Sequence, residues 1–204
     1  MGRDAWSRER CDPLRHPARH GWLREHLARY RYGRDLLQGR LLDAGCGTGY
    51  GTALLATAPG VCDVLGVDRD ARSIAHARRY YAGPRVAFAR VDLLQAAARA
   101  LGRFDGIACL EVLEHVAEPE RLLETLDLCL APGGRLWIST PLGQGRAQPT
   151  RQPGHFFQLR RHEFVAMLAA RFELRLYGQR GEGIERWRPG ARYFLALALC
   201  QTRS

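Results

Sequence analysis

One segment constrains the fold more than any other. Leu41-Leu42-Asp43-Ala44 runs apolar into Gly45-Cys46-Gly47-Thr48-Gly49, and a helical stretch, Tyr50–Thr57, follows. A strand that enters a helix through a glycine loop builds a nucleotide-cofactor site at the carboxyl edge of a parallel sheet. Glycines there let a ligand approach the backbone with no Cβ in the way. A dinucleotide fingerprint needs G-x-G-x-x-G, which sets a pyrophosphate on the helix N-terminus. Here the third glycine, Gly49, comes one position early, and Tyr50 stands where that fingerprint requires glycine. Asp43 is also a poor neighbour for a pyrophosphate and suits an ammonium group better. The spacing therefore disfavours a dehydrogenase.

The rest of the chain alternates in the same way. Strands are expected at Arg40–Ala44, Val61–Val67, Arg85–Val91, Phe104–Leu110 and Arg135–Thr140. Helices are expected at Tyr50–Thr57, Ala71–Tyr81, Leu93–Leu101 and Glu118–Leu130. Asp70 can cap the second of these, and Pro119 suits a first helical turn. Pro132-Gly133-Gly134 ends the last one and turns into the next strand. A helix at Arg160–Ala170 and strands at Phe172–Tyr177 and Arg192–Cys200 complete the pattern. Strands alternating with helices imply a parallel sheet covered on both faces. A helix around Trp22–Leu37 precedes it, so residues 1–38 read as an N-terminal helical lid and 39–204 as the cofactor-binding domain.

With 204 residues the chain suits one domain. No apolar run is long enough to cross a bilayer, and Met1–Arg10 is not followed by an apolar stretch, so the expected location is cytoplasmic. The net charge of +10 comes from arginine, since lysine is absent. Such a charge fits anionic partners, nucleic acid among them, but the arginines are scattered rather than massed. Cys11, Cys46, Cys62, Cys109, Cys129 and Cys200 form no CxxC pair, so zinc spacing is missing and they read as small buried hydrophobes.

Asp43-x-Gly45-x-Gly47-x-Gly49 resembles motif I of class I S-adenosylmethionine-dependent methyltransferases. Phe104-Asp105 with Glu111-Val112-Leu113-Glu114-His115 resembles the branch that includes ubiquinone-biosynthesis O-methyltransferases. Pro132-Gly133-Gly134, Ser139-Thr140-Pro141 and the lead-in Glu25-His26-Leu27-Ala28-Arg29-Tyr30 extend the likeness. The resemblance implies a Rossmann-like α/β fold: a seven-stranded, mostly parallel sheet with helices on both faces. It implies S-adenosylmethionine as cofactor, with the glycine loop and Asp43 around its methionine portion. Asp68 at the end of the second strand, followed by Arg69, would hold the ribose. Asp92 at the end of the third would accept from the adenine amino group, with Leu93 on the ring. Tyr30, Leu110 and Glu111 complete the cofactor set.

The implied reaction is methyl transfer to a small-molecule acceptor, most simply at oxygen, in natural-product or cofactor biosynthesis. His115, just past the fourth strand, and His155 are the candidate catalytic residues, with no metal in the preferred reading. Leu142 and Gln152 stand where relatives carry asparagine; the loop from Leu142 to Gly154, rich in Gly, Pro and Gln, is the expected substrate-facing segment. Two alternatives remain. Glu111, Glu114, His115 and His155 also resemble the metal tetrad of small-RNA 3′-terminal 2′-O-methyltransferases. A cofactor-binding accessory subunit would share the loop without the chemistry. The sequence sets no oligomeric state.

Overall fold

The structure, a computed structural model, describes residues 12–14 and 21–203. The expectations for Met1–Arg10 and for Cys11 fall outside these residues. The elements are α1 (Gly21–Leu36), β1 (Gly39–Ala44), α2 (Tyr50–Leu55), β2 (Val61–Asp68), α3 (Ala71–Tyr80), β3 (Val86–Arg90), β4 (Phe104–Leu110), α4 (Pro119–Cys129), β5 (Leu130–Pro141), α5 (Arg161–Ala169), β6 (Phe172–Arg180), β7 (Gly183–Arg186) and β8 (Leu195–Thr202).

One sheet of eight strands has the order β3-β2-β1-β4-β5-β8-β6-β7. β3 to β5 are parallel, and β8 runs antiparallel between β5 and β6. The strand order reverses between β1 and β4, which opens a crevice at the carboxyl end of β1. The sheet thus has one strand more than the expected seven. The addition is β7, folded back on β6 through Gly181-Glu182, with Gly181 at the φ of 55° that such a two-residue loop suits at its first position.

Consecutive strand residues feed opposite faces. Leu42, Ile107, Leu136 and Ile138 join Leu122, Leu126, Phe164 and Leu168 under α4 and α5. Leu41, Ala108, Trp137 and Leu197 join Leu23, Tyr30, Leu37 and Leu55 under α1 and α2. Burial on both faces explains why the parallel strands read as apolar runs. The α1 helix is part of this core: Trp137 Nε1 donates to the Arg29 carbonyl at 3.1 Å, and Tyr32 stacks on the Trp137 ring. A Cβ on Gly33 would stand 2.6 Å from that indole.

Local signals behave as expected at Asp70, whose carboxylate accepts from Ser73 N at 3.0 Å, and at Pro119, the first residue of α4. The expected helix Leu93–Leu101 is instead a turn followed by 3₁₀ geometry at Ala96–Leu101. The segment closes by i→i+3 bonds: beside the Asp92 carboxylate, which accepts from Leu94 N at 3.0 Å, the Asp92 carbonyl accepts from Gln95 N at 3.0 Å and the Gln95 carbonyl from Ala98 N at 3.0 Å. Pro132-Gly133-Gly134 lies within β5, at the register break between Phe104↔Leu130 and Gly106↔Arg135. Cys46, Cys109, Cys129 and Cys200 are buried, whereas Cys62 is exposed on β2, contrary to the sequence reading. No helix among the described residues is long and apolar enough to cross a membrane.

Candidate active site

The crevice at the β1 switch point is a cavity of about 760 Å³, within the roughly 300–1,000 Å³ usual for small-molecule sites. Gly45, Gly47, Asp68, Arg69, Asp92, Leu93, Leu110, Glu111, Tyr30, His115 and His155 all lie on its wall. Two members of the expected set, Asp43 and Gly49, do not.

Each loop glycine has its own reason to be glycine. Gly45, Gly47 and Gly49 have φ of 80°, 53° and 94°, values that side chains other than glycine seldom adopt. A Cβ on Gly45 would meet Val112 at 2.4 Å, and one on Gly49 would meet Ala77 at 2.6 Å. Gly49 thus lets α3 pack under the loop. Gly47 N donates to Asp68 Oδ2 at 3.0 Å, and Asp70 N donates to Asp68 Oδ1 at 2.8 Å. These bonds fix the Asp68 carboxylate at the cavity wall.

Asp43 sits beneath the cavity, fully buried. It accepts from Thr52 Oγ1 at 2.6 Å and from Tyr30 OH at 3.1 Å. The Tyr30 ring rests on Gly51, where a Cβ would come within 2.1 Å of it. Burial pushes the Asp43 carboxyl up to about 7, against the pull of its hydrogen bonds from Thr52 and Tyr30. A carboxyl raised in this way holds its proton more tightly folded than unfolded. Its cost to stability is absent below the ordinary value of 3.8 and grows as pH rises to about 7. Asp43→Asn removes that titration. Urea unfolding should therefore show the variant gaining on the parent by on the order of a few kcal/mol between about pH 4 and pH 7; parallel pH profiles would assign the cost to another group.

The α1 face toward the cavity carries Trp22, Glu25, His26, Arg29 and Tyr30. Sequence reasoning singled out only Tyr30. The others recur at i, i+3, i+4 and i+7, the spacing of one helix face, and that periodicity was the available signal. His26 Nδ1 and Tyr50 OH share a short hydrogen bond, which ties α1 to the first residue of α2. Burial, with Arg29 nearby, lowers the His26 pKa to about 3, so the ring is neutral. Arg29 is buried. Its Nε donates to Gln179 Oε1 at 2.7 Å, and its Nη1 lies 3.9 Å from Glu111 Oε2.

Glu111 is, among the described residues, the one non-glycine with positive φ, at 58°. Ser139 holds it in that conformation, accepting from Glu111 N at 3.1 Å and donating to Oε1 at 2.8 Å. Strained backbone at the end of a sheet strand, held by its surroundings, is a frequent feature of functional sites.

Glu114, His115 and His155 meet on the far wall. Each offers one donor atom, and the three atoms lie within 4.8 Å of one another. Glu114 is buried; its Oε2 accepts from Thr140 Oγ1 at 3.1 Å, and its Oε1 has no hydrogen-bond partner among the described residues. Burial, reinforced by Glu111, raises its carboxyl well above the usual range. His115 Nδ1 faces the Gly154 carbonyl at 3.0 Å, and its ring meets His155 edge to face at 4.6 Å. Glu111 stays outside this trio, because its carboxylate is taken by Ser139 and turned toward Arg29.

Residues 15–179 match the methyltransferase domain family. The chain belongs to that family, and S-adenosylmethionine is its cofactor. It is 29% identical over 138 residues to a ubiquinone biosynthesis O-methyltransferase of Azotobacter vinelandii, a match covering 66% of this chain and 56% of the relative. The match spans only about half the length of such curated relatives. The N-methyltransferase NodS of Bradyrhizobium japonicum, solved with S-adenosylhomocysteine, superposes with a TM-score of 0.67 at 21% identity over 96% of this chain and 94% of NodS. The cyclase SpnF superposes at 0.60 with 26% identity, over 74% of this chain and 58% of SpnF. The fold is therefore shared by proteins named for different reactions.

Proposed function

We propose that the chain methylates a hydroxyl oxygen of a small-molecule acceptor, in biosynthesis of a natural product or cofactor, with His115 taking the hydroxyl proton. One observation carries this reading. A carbonyl only accepts, so the Gly154 contact places the neutral ring's proton on Nδ1 and leaves Nε2 as an acceptor. His115 and the glycine loop line the same cavity, so one space takes both cofactor and acceptor.

In this reading the loop at Gly45 and Gly47 receives the methionine portion. The buried Arg29 guanidinium pairs with its carboxylate, and Glu111, rather than the submerged Asp43, faces its ammonium. Leu110 and Tyr30 border this end. Asp68 accepts from the ribose hydroxyls beside Arg69. Asp92 accepts from the adenine amino group, and Leu93 packs on the ring. A sulfonium methyl is already activated. The protein's task is to align the nucleophile, exclude water and remove one proton. His155 packs edge to face against His115 and fixes its tilt from the acceptor side.

Asp68→Ala should weaken S-adenosylhomocysteine binding by about 1–3 kcal/mol, the scale of a charged hydrogen-bonding group. Normal affinity with a lowered melting temperature would leave Asp68 a purely structural role. The acceptor is found by screening hydroxylated small molecules for release of S-adenosylhomocysteine. A hydroxyl compound that supports release, while its O-methyl ether does not, supports the proposal. Release supported only by amines or by RNA 3′ ends would refute it.

A second reading rests on the unpartnered Glu114 oxygen beside two imidazoles, a donor set that suits a divalent cation with open positions. Glu114, His115 and His155 would hold such an ion, which would acidify the acceptor hydroxyl. Activity abolished by EDTA and restored by Mg²⁺ or Mn²⁺ would favour it over the metal-free reading.

A further inference from the structure

Gln179, near the end of β6, is buried, and its amide makes three hydrogen bonds. Oε1 accepts from Arg29 Nε at 2.7 Å. Nε2 donates to the Glu25 carbonyl at 2.9 Å and to the Gly181 carbonyl at 2.7 Å. This pattern admits one orientation. A flipped amide would set its NH₂ against the arginine N–H and its oxygen against two carbonyls. One side chain thereby joins α1, the β6–β7 turn and a buried guanidinium. A second contact reinforces the same junction, with Arg24 of α1 reaching Glu182 of the turn at 3.5 Å.

The consequence falls on Arg29. Its Nε is committed to Gln179, which fixes the plane of the guanidinium. The terminal nitrogens are then left to the cavity, where Glu111 lies too far, at 3.9 Å, for a close hydrogen bond. An arginine held by its Nε offers a preset fork to a carboxylate. We infer that Gln179 is a positioning residue that aims Arg29 at the carboxylate of the bound cofactor, and that β7 is present to complete its anchorage. The inference rests on the reading of Arg29 given above. Nothing in the glycine loop or the acid–histidine cluster requires Gln179.

The test compares two ligands on the full chain by calorimetry: S-adenosylhomocysteine and its decarboxylated analogue, which keeps the adenosine, the thioether and the ammonium. Gln179→Met keeps the length and removes every polar bond. It should weaken S-adenosylhomocysteine about tenfold, the lower end for loss of a charge-assisted contact, and leave the decarboxylated analogue unchanged. Equal weakening of both ligands, or of neither, overturns the inference, because a merely structural role cannot single out the carboxylate. Gln179→Glu provides a second variant if Gln179→Met does not fold. Its carboxylate neutralises the guanidinium from behind and should produce the same selective loss. Arg29→Met separates the two layers of argument. If it fails to discriminate between the ligands, the assignment of Arg29 falls. If it discriminates and neither Gln179 variant does, only the positioning role falls.

Discussion

Replacing His115 by alanine should lower turnover by roughly 10²–10⁴-fold, the range for a lost general base, while S-adenosylhomocysteine binds as before. The separation follows from where His115 sits. Its Nδ1 is tied to the Gly154 carbonyl, in the loop that also carries Gln152, Pro153 and His155 into the cavity. The glycine loop and Asp68 stand on other elements. Under the metal-free reading EDTA leaves the parent enzyme intact, and Glu111→Gln acts through the cofactor end of the cavity. Under the metal reading EDTA abolishes activity, and Glu114, His115 and His155 are each required. A nearly fully active His115→Ala enzyme that ignores EDTA would mean that alignment and desolvation suffice, and both chemical roles of His115 would fall.

Gly47→Val should abolish detectable cofactor binding while the protein still melts cooperatively. Gly47 has φ of 53° on the cavity wall. A branched side chain there meets two penalties. The left-handed conformation costs roughly 1–2 kcal/mol for an L-residue, and the side chain occupies the space a ligand needs beside the backbone. Gly47 N also orients Asp68, so a shift of the loop releases the expected ribose partner as well. Gly51→Val, by contrast, drives a side chain into the Tyr30 ring and should act on folding rather than on the ligand alone. Calorimetry and thermal melts on the two variants separate these outcomes. Unchanged affinity in Gly47→Val would contradict the placement of the cofactor.

The parallel core was legible in the sequence because burial on both faces leaves continuous apolar runs, and because Asp70 and Pro119 mark helix starts by local chemistry. β7 was not, since four residues, Gly183–Arg186, with no buried member carry no periodic signal; only the pairing with β6 defines them. The 3₁₀ segment was misread because its alanines favour an α-helix, while the backbone closes by i→i+3 bonds, Gln95 N on the Asp92 carbonyl and Ala98 N on the Gln95 carbonyl, which residue propensity does not distinguish. The site divided along similar lines. Loop glycines and strand-end acids are placed by position in the chain, and most reached the cavity wall. Asp43 did not, because its direction depends on Tyr30 and Thr52, partners from two other elements. Arg29 and Gln179 lie 150 residues apart and meet only through the packing of α1 on the sheet. The metal-like tetrad lost Glu111 for an equally non-local reason, the Ser139 hydroxyl on β5.

In the proposed reaction this cavity passes an intact methyl group from S-adenosylmethionine to an acceptor oxygen. The most direct measurement follows a trideuterated methyl group on the cofactor, with an acceptor found by the screen. The expected result is an O-methylated product that carries all three deuterium atoms, formed in step with S-adenosylhomocysteine. A protein that binds the cofactor, transforms the acceptor and leaves the labelled methyl on sulfur would contradict it, and would place this chain with the relatives that use the same fold for a different reaction.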